Sequence, residues 1–153
     1  MRLGERNPSL PEDVDVKLEC TAHHEAGHVV VAAAQQLRLR LDGLSVDSRG
    51  EGLACYCKQP DESDPSRERV IIATFAGYKA QERFCEECSY PAPDALQVIL
   101  SPDWCEARET LTRLSDEYFA NETVATIQCK LESRSEHLVG RSGLSSRHLP
   151  LPC

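Results

Sequence analysis

Residues Val14–Leu39 read VDVKLECTAHHEAGHVVVAAAQQLRL, and the spacing of their apolar side chains decides the fold class. Val14, Leu18, Ala22, Ala26, Val29, Val30 and Ala33 recur at helical intervals, which predicts one amphipathic helix with a heavily buried C-terminal half. Asp42-Gly43 is expected to break this pattern. Beyond it, Leu44-Ser45-Val46 and Leu53-Ala54-Cys55-Tyr56-Cys57 flank Arg49-Gly50-Glu51-Gly52 and read as two short strands joined by a glycine turn.

Further along, Pro65 and Ser66 open a second helix that carries Val70, Ile71, Ala73, Thr74, Phe75, Gly77 and Tyr78 and runs to about Phe84. A proline-rich connection, SYPAPDALQVILSPD, follows it. Ser101-Pro102-Asp103 then starts a third helix, with Ser as N-cap, Pro at the first helical position and Asp in the first turn. A fourth is expected from about Asp116 to Val139, ending at Gly140, with Phe119, Val124, Ile127, Leu131 and Leu138 as its apolar positions. The expectation is a mainly α domain over residues 13–140 with one small β-hairpin, preceded by a flexible lead-in (1–12) and followed by a flexible tail (141–153).

The composition excludes several function classes. A chain of 153 residues with 41% hydrophobic and 27% charged residues is long and apolar enough to bury one core. Its formal net charge of −8 repels phosphate backbones and anionic lipid, so nucleic acid is not expected as a partner. The longest apolar run, VVVAAA at Val29–Ala34, is far short of the roughly 20 residues that cross a bilayer. The N-terminus lacks the apolar stretch of a secretory signal, and a cytoplasmic protein with reduced thiols is expected from that. Among its eight cysteines, the pairs Cys55/Cys57 and Cys85/Cys88 offer either a second, structural metal site or scattered buried thiols. No GxxxxGK[ST] phosphate loop occurs, so any ATP dependence would come from a partner.

The residues with chemistry to offer lie in the first helix. His24-Glu25-Ala26-Gly27-His28 is an HExxH sequence. Positions i and i+4 of a helix share a face one turn apart, so both imidazoles can reach one Zn2+, while Glu25 stands beside it as a general base toward a water. Chance alone would place this pattern in a shuffled chain of this composition about 2% of the time. Two histidines bonded within a buried helix are the plain alternative. His23 projects about 100° away from the pair and is read as a surface or core residue. A catalytic zinc site needs a third protein ligand. Asp103 is the best candidate on local physics, because the positive end of a helix dipole favours its ionised form; an ordinary helix-start Asp is the other reading.

Here the chain resembles the zinc-dependent peptidase domain of the FtsH-type membrane AAA proteases. Ala22-His23-His24-Glu25-Ala26-Gly27-His28 is similar to that family's YHEAGHA signature, and Ser101-Pro102-Asp103-Trp104-Cys105-Glu106-Ala107 to its SNDLxxAT motif. Phe75-Ala76-Gly77-Tyr78-Lys79-Ala80-Gln81-Glu82 looks like its LGGRAAEE helix, and Val46-Asp47-Ser48-Arg49-Gly50 like its IxPRG strand and turn. The four segments keep their order over about Thr21 to Leu114. The resemblance implies a helical metallopeptidase domain with Zn2+ on His24, His28 and Asp103, Glu25 as catalytic base, and a polypeptide substrate laid along the edge strand near Leu53–Lys58. It departs at Ala76, Tyr78, Lys79 and Arg108, none of which matches a ligand or the base. The family's ATPase module and membrane anchor have no counterpart in these segments, so a separate ATPase partner and homo-oligomerisation stay open. The alternative function is a catalytically silent zinc-binding interaction or regulatory domain derived from such a peptidase.

Overall fold

The computed structural model describes residues 12–56, 63–114 and 123–142. The lead-in (apart from Glu12), most of the tail, Cys57, Lys58, Phe119 and His148 lie outside them. In chain order the elements are α1 (Glu12–Ala34), β1 (Leu39–Val46), β2 (Gly52–Tyr56), α2 (Asp64–Cys88), α3 (Ala95–Ile99), α4 (Pro102–Leu111) and α5 (Val124–Arg141). The chain is mainly helical, with one antiparallel two-stranded sheet among the described residues. None of its described helices is long and apolar enough to cross a membrane.

The first helix ends earlier than its apolar run suggests. Gln36 takes a left-handed conformation (φ 60°), and the amides of Gln36 and Leu37 bond back to the carbonyls of Ala33 and Ala32, both at 2.9 Å. This is a Schellman closure built on glutamine where glycine is usual. Asp42-Gly43 consequently breaks no helix. It lies inside β1, where Gly43 (φ 67°) sits in a register shift between Leu39↔Tyr56 and Leu44↔Ala54, a bulge that bends the strand. The expected glycine turn does join the strands. The Asp47 carboxylate accepts from the amides of Arg49 and Glu51, each at 2.9 Å, and Gly50 supplies φ 77°. That turn docks on α1 through Lys17 Nζ to the Arg49 carbonyl (2.8 Å) and Thr21 Oγ1 to the Gly50 carbonyl (3.1 Å).

The buried stripe of α1 is also rotated from expectation. Cys20, Gly27, His28, Val31 and Ala32 are buried, while Ala22 and Ala33 are exposed. Alanine has too little apolar surface to dictate which way a helix faces. The larger valine at 31 does so, and it carries His28 inward with it.

Helix α2 is the central element and packs on α1, α4 and α5. Its N-cap is Ser63, which accepts from the Ser66 amide, and Ser89 closes it in the left-handed region. Phe75, Ile71 and Ile72 on α2, Val31 on α1, and Leu131 and Val139 on α5 are the largest fully buried apolar side chains of the core. Helix α5 is capped by Thr123 and buries Ile127, Leu131, Ser135 and Val139 at four-residue steps. Gly140 lies within the last turn of this helix, which ends at Arg141, and a Cβ there would stand 2.9 Å from Arg83 Nη1 of α2. Within the proline-rich connection the structure adds α3, a short helix capped by Asp94. Helix α4 starts as its sequence predicts, with the Ser101 hydroxyl accepting from the Trp104 amide at 3.3 Å.

Candidate metal centre

Where α1 crosses α2, small residues let the two backbones approach. A Cβ on Gly27 would fall 2.4 Å from the Ala76 carbonyl oxygen and 2.6 Å from Ala80 Cβ, so only glycine fits. This proximity allows the His28 Nδ1–H to donate to the Ala73 carbonyl of α2 at 2.9 Å. One turn earlier His24 Nδ1 bonds Gln81 Oε1, also on α2, at 3.0 Å. Each imidazole therefore spends its Nδ1 proton on α2 and turns Nε2 the other way.

Both Nε2 atoms meet Asp103, presented by the first turn of α4. His24 Nε2 lies 3.0 Å and His28 Nε2 3.3 Å from Asp103 Oδ2, and the two nitrogens are 3.1 Å apart. Among the described residues this is the one group of three metal-capable side chains whose donor atoms converge. Two imidazole lone pairs and a carboxylate facing one another repel unless a cation, either a proton or a metal, lies between them. Tetrahedral zinc with ligands at about 2.0–2.1 Å holds neighbouring donors about 3.3 Å apart, which the three observed separations approach. Gly77 of α2 leaves the room: a Cβ on it would stand 2.4 Å from His28 Nε2 and 2.8 Å from His24 Nε2. The donor set thus fits a divalent metal ion.

The electrostatics agree with this geometry. Burial works to raise the Asp103 carboxyl, but the hydrogen bonds from His24 and His28 outweigh it and hold the group well below the usual carboxylate range. Burial likewise opposes a charge on His28, yet the Asp103 carboxylate and the Ala73 carbonyl prevail and raise its pKa. Asp103 is therefore the anionic member of the triad.

Glu25, the residue after His24, is half-buried and lies against β2. A Cβ on Gly52 would come within 2.4 Å of Glu25 Cγ and 2.5 Å of Oε1, so the strand has a glycine where the carboxylate passes. The site is flanked by two aromatic rings that the spacing of HExxH does not announce. Tyr78 presents its ring edge-on to His24 at 5.3 Å between centroids and lies 6.4 Å from Trp104. Burial pushes the Tyr78 phenol up to about 12, so it remains neutral, and it shares a hydrogen bond with the Ser101 side chain.

His24, His28 and Asp103 are thus brought together, although His24 and Asp103 are 79 residues apart in sequence, while Glu25 is placed against Gly52 of β2. His23 is not part of the group. Its ring stacks on Phe84, centroids 3.9 Å apart and 14° from parallel. Nor do the described cysteines assemble a second site. Cys85 lies 3.6 Å from Cys20 of α1 in a satellite cluster with Phe84, while Cys55 sits on β2. Gln81, Ala73 and Gly77 support the triad and Gly52 makes room for Glu25, and none was singled out for that role by the sequence. Of these only Gly77 left a trace, as a glycine inside an otherwise helical apolar pattern.

No family model matches this chain, and no curated protein or solved structure matches it significantly.

Proposed function

We propose that the chain is a zinc-dependent endopeptidase that hydrolyses flexible or unfolded polypeptides, working in the cytoplasm with its thiols reduced. The observation that carries this reading is the convergence of His24 Nε2, His28 Nε2 and Asp103 Oδ2, with Glu25 next to a ligand on the same helix. His24, His28 and Asp103 would hold the ion, which, when bound, supplies Lewis-acid polarisation of a water and lowers its pKa toward about 7. Glu25 would be the general base that accepts a proton from the attacking water and the acid that returns it to the leaving amine. Substrate enters extended along β2, whose only strand partner among the described residues is β1, and pairs its backbone with the strand that shelters Glu25. The resemblance to FtsH-type peptidase domains supports the same assignment of roles.

The test is zinc content together with cleavage of a quenched, unstructured peptide by the parent chain and by Glu25→Gln. The expected result is about one zinc per chain in both and turnover in the parent alone. Zinc in both without turnover in either would favour the silent regulatory domain. Absence of zinc from both would leave a structural helical domain.

A further inference from the structure

Helices α1 and α2 run past each other in opposite directions, and successive turns of α1 meet successive partners on α2. His28 Nδ1 bonds the Ala73 carbonyl at 2.9 Å, and His24 Nδ1 bonds the Gln81 side chain at 3.0 Å. One turn before His24 the next rung of this ladder is a pair of free thiols, Cys20 Sγ and Cys85 Sγ, 3.6 Å apart.

Both sulfurs are held in place. Cys20 is 9% and Cys85 2% exposed, and Val16, Phe84, Cys88 and Tyr90 pack around them. The backbone at Cys85 is fixed as well, because its carbonyl accepts from the Tyr90 amide at 2.8 Å where left-handed Ser89 closes α2. A disulfide brings its sulfurs to about 2.05 Å, so the observed pair has to close by about 1.5 Å, within the reach of side-chain rotation. Cys88 is the rival partner for Cys85. Residues three apart on one helix have Cβ atoms about 5–6 Å apart, wider than the roughly 3.5–4.5 Å of a disulfide. The geometry therefore favours the bond between helices over the bond within α2.

We propose that Cys20 and Cys85 form a peroxide-oxidisable latch, a reversible disulfide that ties α1 to α2 one turn before His24. Hydrogen peroxide is neutral and close to water in size, so it reaches a packed site closed to larger thiol reagents. The Cys85 sulfur attacks one peroxide oxygen and the O–O bond breaks, leaving a sulfenic acid and one water. Cys20, which burial keeps protonated, is the resolving thiol. Its sulfur attacks that of Cys85, the S–S bond forms and the S–O bond breaks, and the departing hydroxide takes the Cys20 proton as a second water. Two electrons thus pass from the two thiols to one peroxide, and an added dithiol returns them.

The bond joins residues 65 apart, a span over which a cross-link removes much of the freedom of the unfolded chain. Oxidation should raise Tm by at least about 5 °C in a chain of this length. The latch needs neither metal nor turnover, so it stands or falls independently of the peptidase reading.

The experiment treats the dilute, fully reduced chain with hydrogen peroxide, stops the reaction with catalase, blocks remaining thiols with N-ethylmaleimide in denaturant and digests without reduction. A peptide linking Cys20 to Cys85 is expected as the main disulfide product of the monomer. Tm should rise by at least about 5 °C, and dithiothreitol should reverse both changes. Cys20→Ala and Cys85→Ala should each lose the linked peptide and the rise in Tm. The double variant Cys105→Ala/Cys129→Ala, which removes two exposed thiols, should keep both. The parent's own peptide map decides the question even where an alanine variant folds poorly. A Cys85–Cys88 link in place of Cys20–Cys85 would overturn the proposal. So would recovery of Cys20 and Cys85 as blocked thiols after Cys105 and Cys129 have been oxidised, or a linked peptide that leaves Tm unchanged.

Discussion

Gly77 lies so close to His28 that a Cβ built on it would stand 2.4 Å from Nε2, the nitrogen that faces Asp103. The position is helical, so backbone conformation does not demand glycine; the imidazole does. Gly77→Ala is expected to force the two rings apart, destabilising the fold by about 1–3 kcal/mol as overpacking does. Zinc retained per chain should fall well below that of the parent while helical circular dichroism is kept. Full zinc loading in this variant would show that the triad is not the metal site.

Gly52 plays the corresponding part for Glu25. Its missing side chain leaves space that Glu25 Cγ and Oε1 occupy, and a methyl group there would displace the carboxylate from its place beside β2. Gly52→Ala should leave zinc content unchanged, because neither histidine nor Asp103 contacts that strand through its donor atom. Turnover should drop at least about 10-fold, the scale on which a misplaced general base is felt. Loss of zinc together with turnover would instead place Gly52 in the metal centre itself.

These two glycines also show what a sequence can disclose. The i, i+4 pair His24/His28 and the Ser101-Pro102-Asp103 start were legible because each is set by geometry within one helical turn. Their meeting was not a local property. It depends on Gly27 and Gly77 opening the α1–α2 crossing and on Ala73 and Gln81 lying opposite the imidazoles. The hairpin was legible as a pattern but started too late, because Gln36 ends α1 in a conformation usually signalled by glycine, and Gly43 makes a bulge where a break was expected. Helix α3 was hidden by the prolines around it. The Cys20–Cys85 neighbourhood joins residues 65 apart, a distance no spacing rule spans.

That thiol pair yields a chemical prediction. Burial and the adjoining Cys85 thiol push Cys20 up to about 12, leaving almost no thiolate at neutral pH. Cys105 and Cys129 are exposed. Brief alkylation of the native chain at pH 8 should therefore label Cys105 and Cys129 and spare Cys20 and Cys85, as read by peptide mass spectrometry. Denaturant should abolish the difference.

His23 gives the pH dependence a sign. Burial holds its pKa below the ordinary 6.5, against the opposing pull of Glu87. The folded state then binds fewer protons here than the unfolded state, so stability is complete above about pH 6.5 and is lost as pH falls through the lower folded value. The buried Nδ1 also lacks a hydrogen-bond partner among the described residues. His23→Phe, which keeps the stack on Phe84, should stabilise the chain by about 1 kcal/mol at pH 7.5. The gain should widen between pH 7 and pH 5 in urea unfolding; a constant gain would mean that His23 carries its proton freely in the fold.

Metal and protons should compete for the same three side chains. In the metal-free chain Asp103 is held ionised, a contribution present above about pH 3.9 and lost as pH falls through its depressed folded value. His28 is raised, so its contribution is complete below about pH 6.5 and is lost as pH rises through its folded value. Zinc requires His24 and His28 unprotonated at Nε2, and it replaces the proton that otherwise joins His28 to Asp103. Stabilisation by the metal should consequently grow with pH, from little at pH 5 to its full extent near pH 8. With free zinc at a hundred times its Kd the gain is about 2.7 kcal/mol, or roughly 5–10 °C in Tm for a chain of this length. Asp103→Asn keeps the shape of the side chain and removes its charge. It should abolish most of the zinc-dependent rise in Tm at pH 8, while a rise equal to the parent's would exclude Asp103 as a ligand.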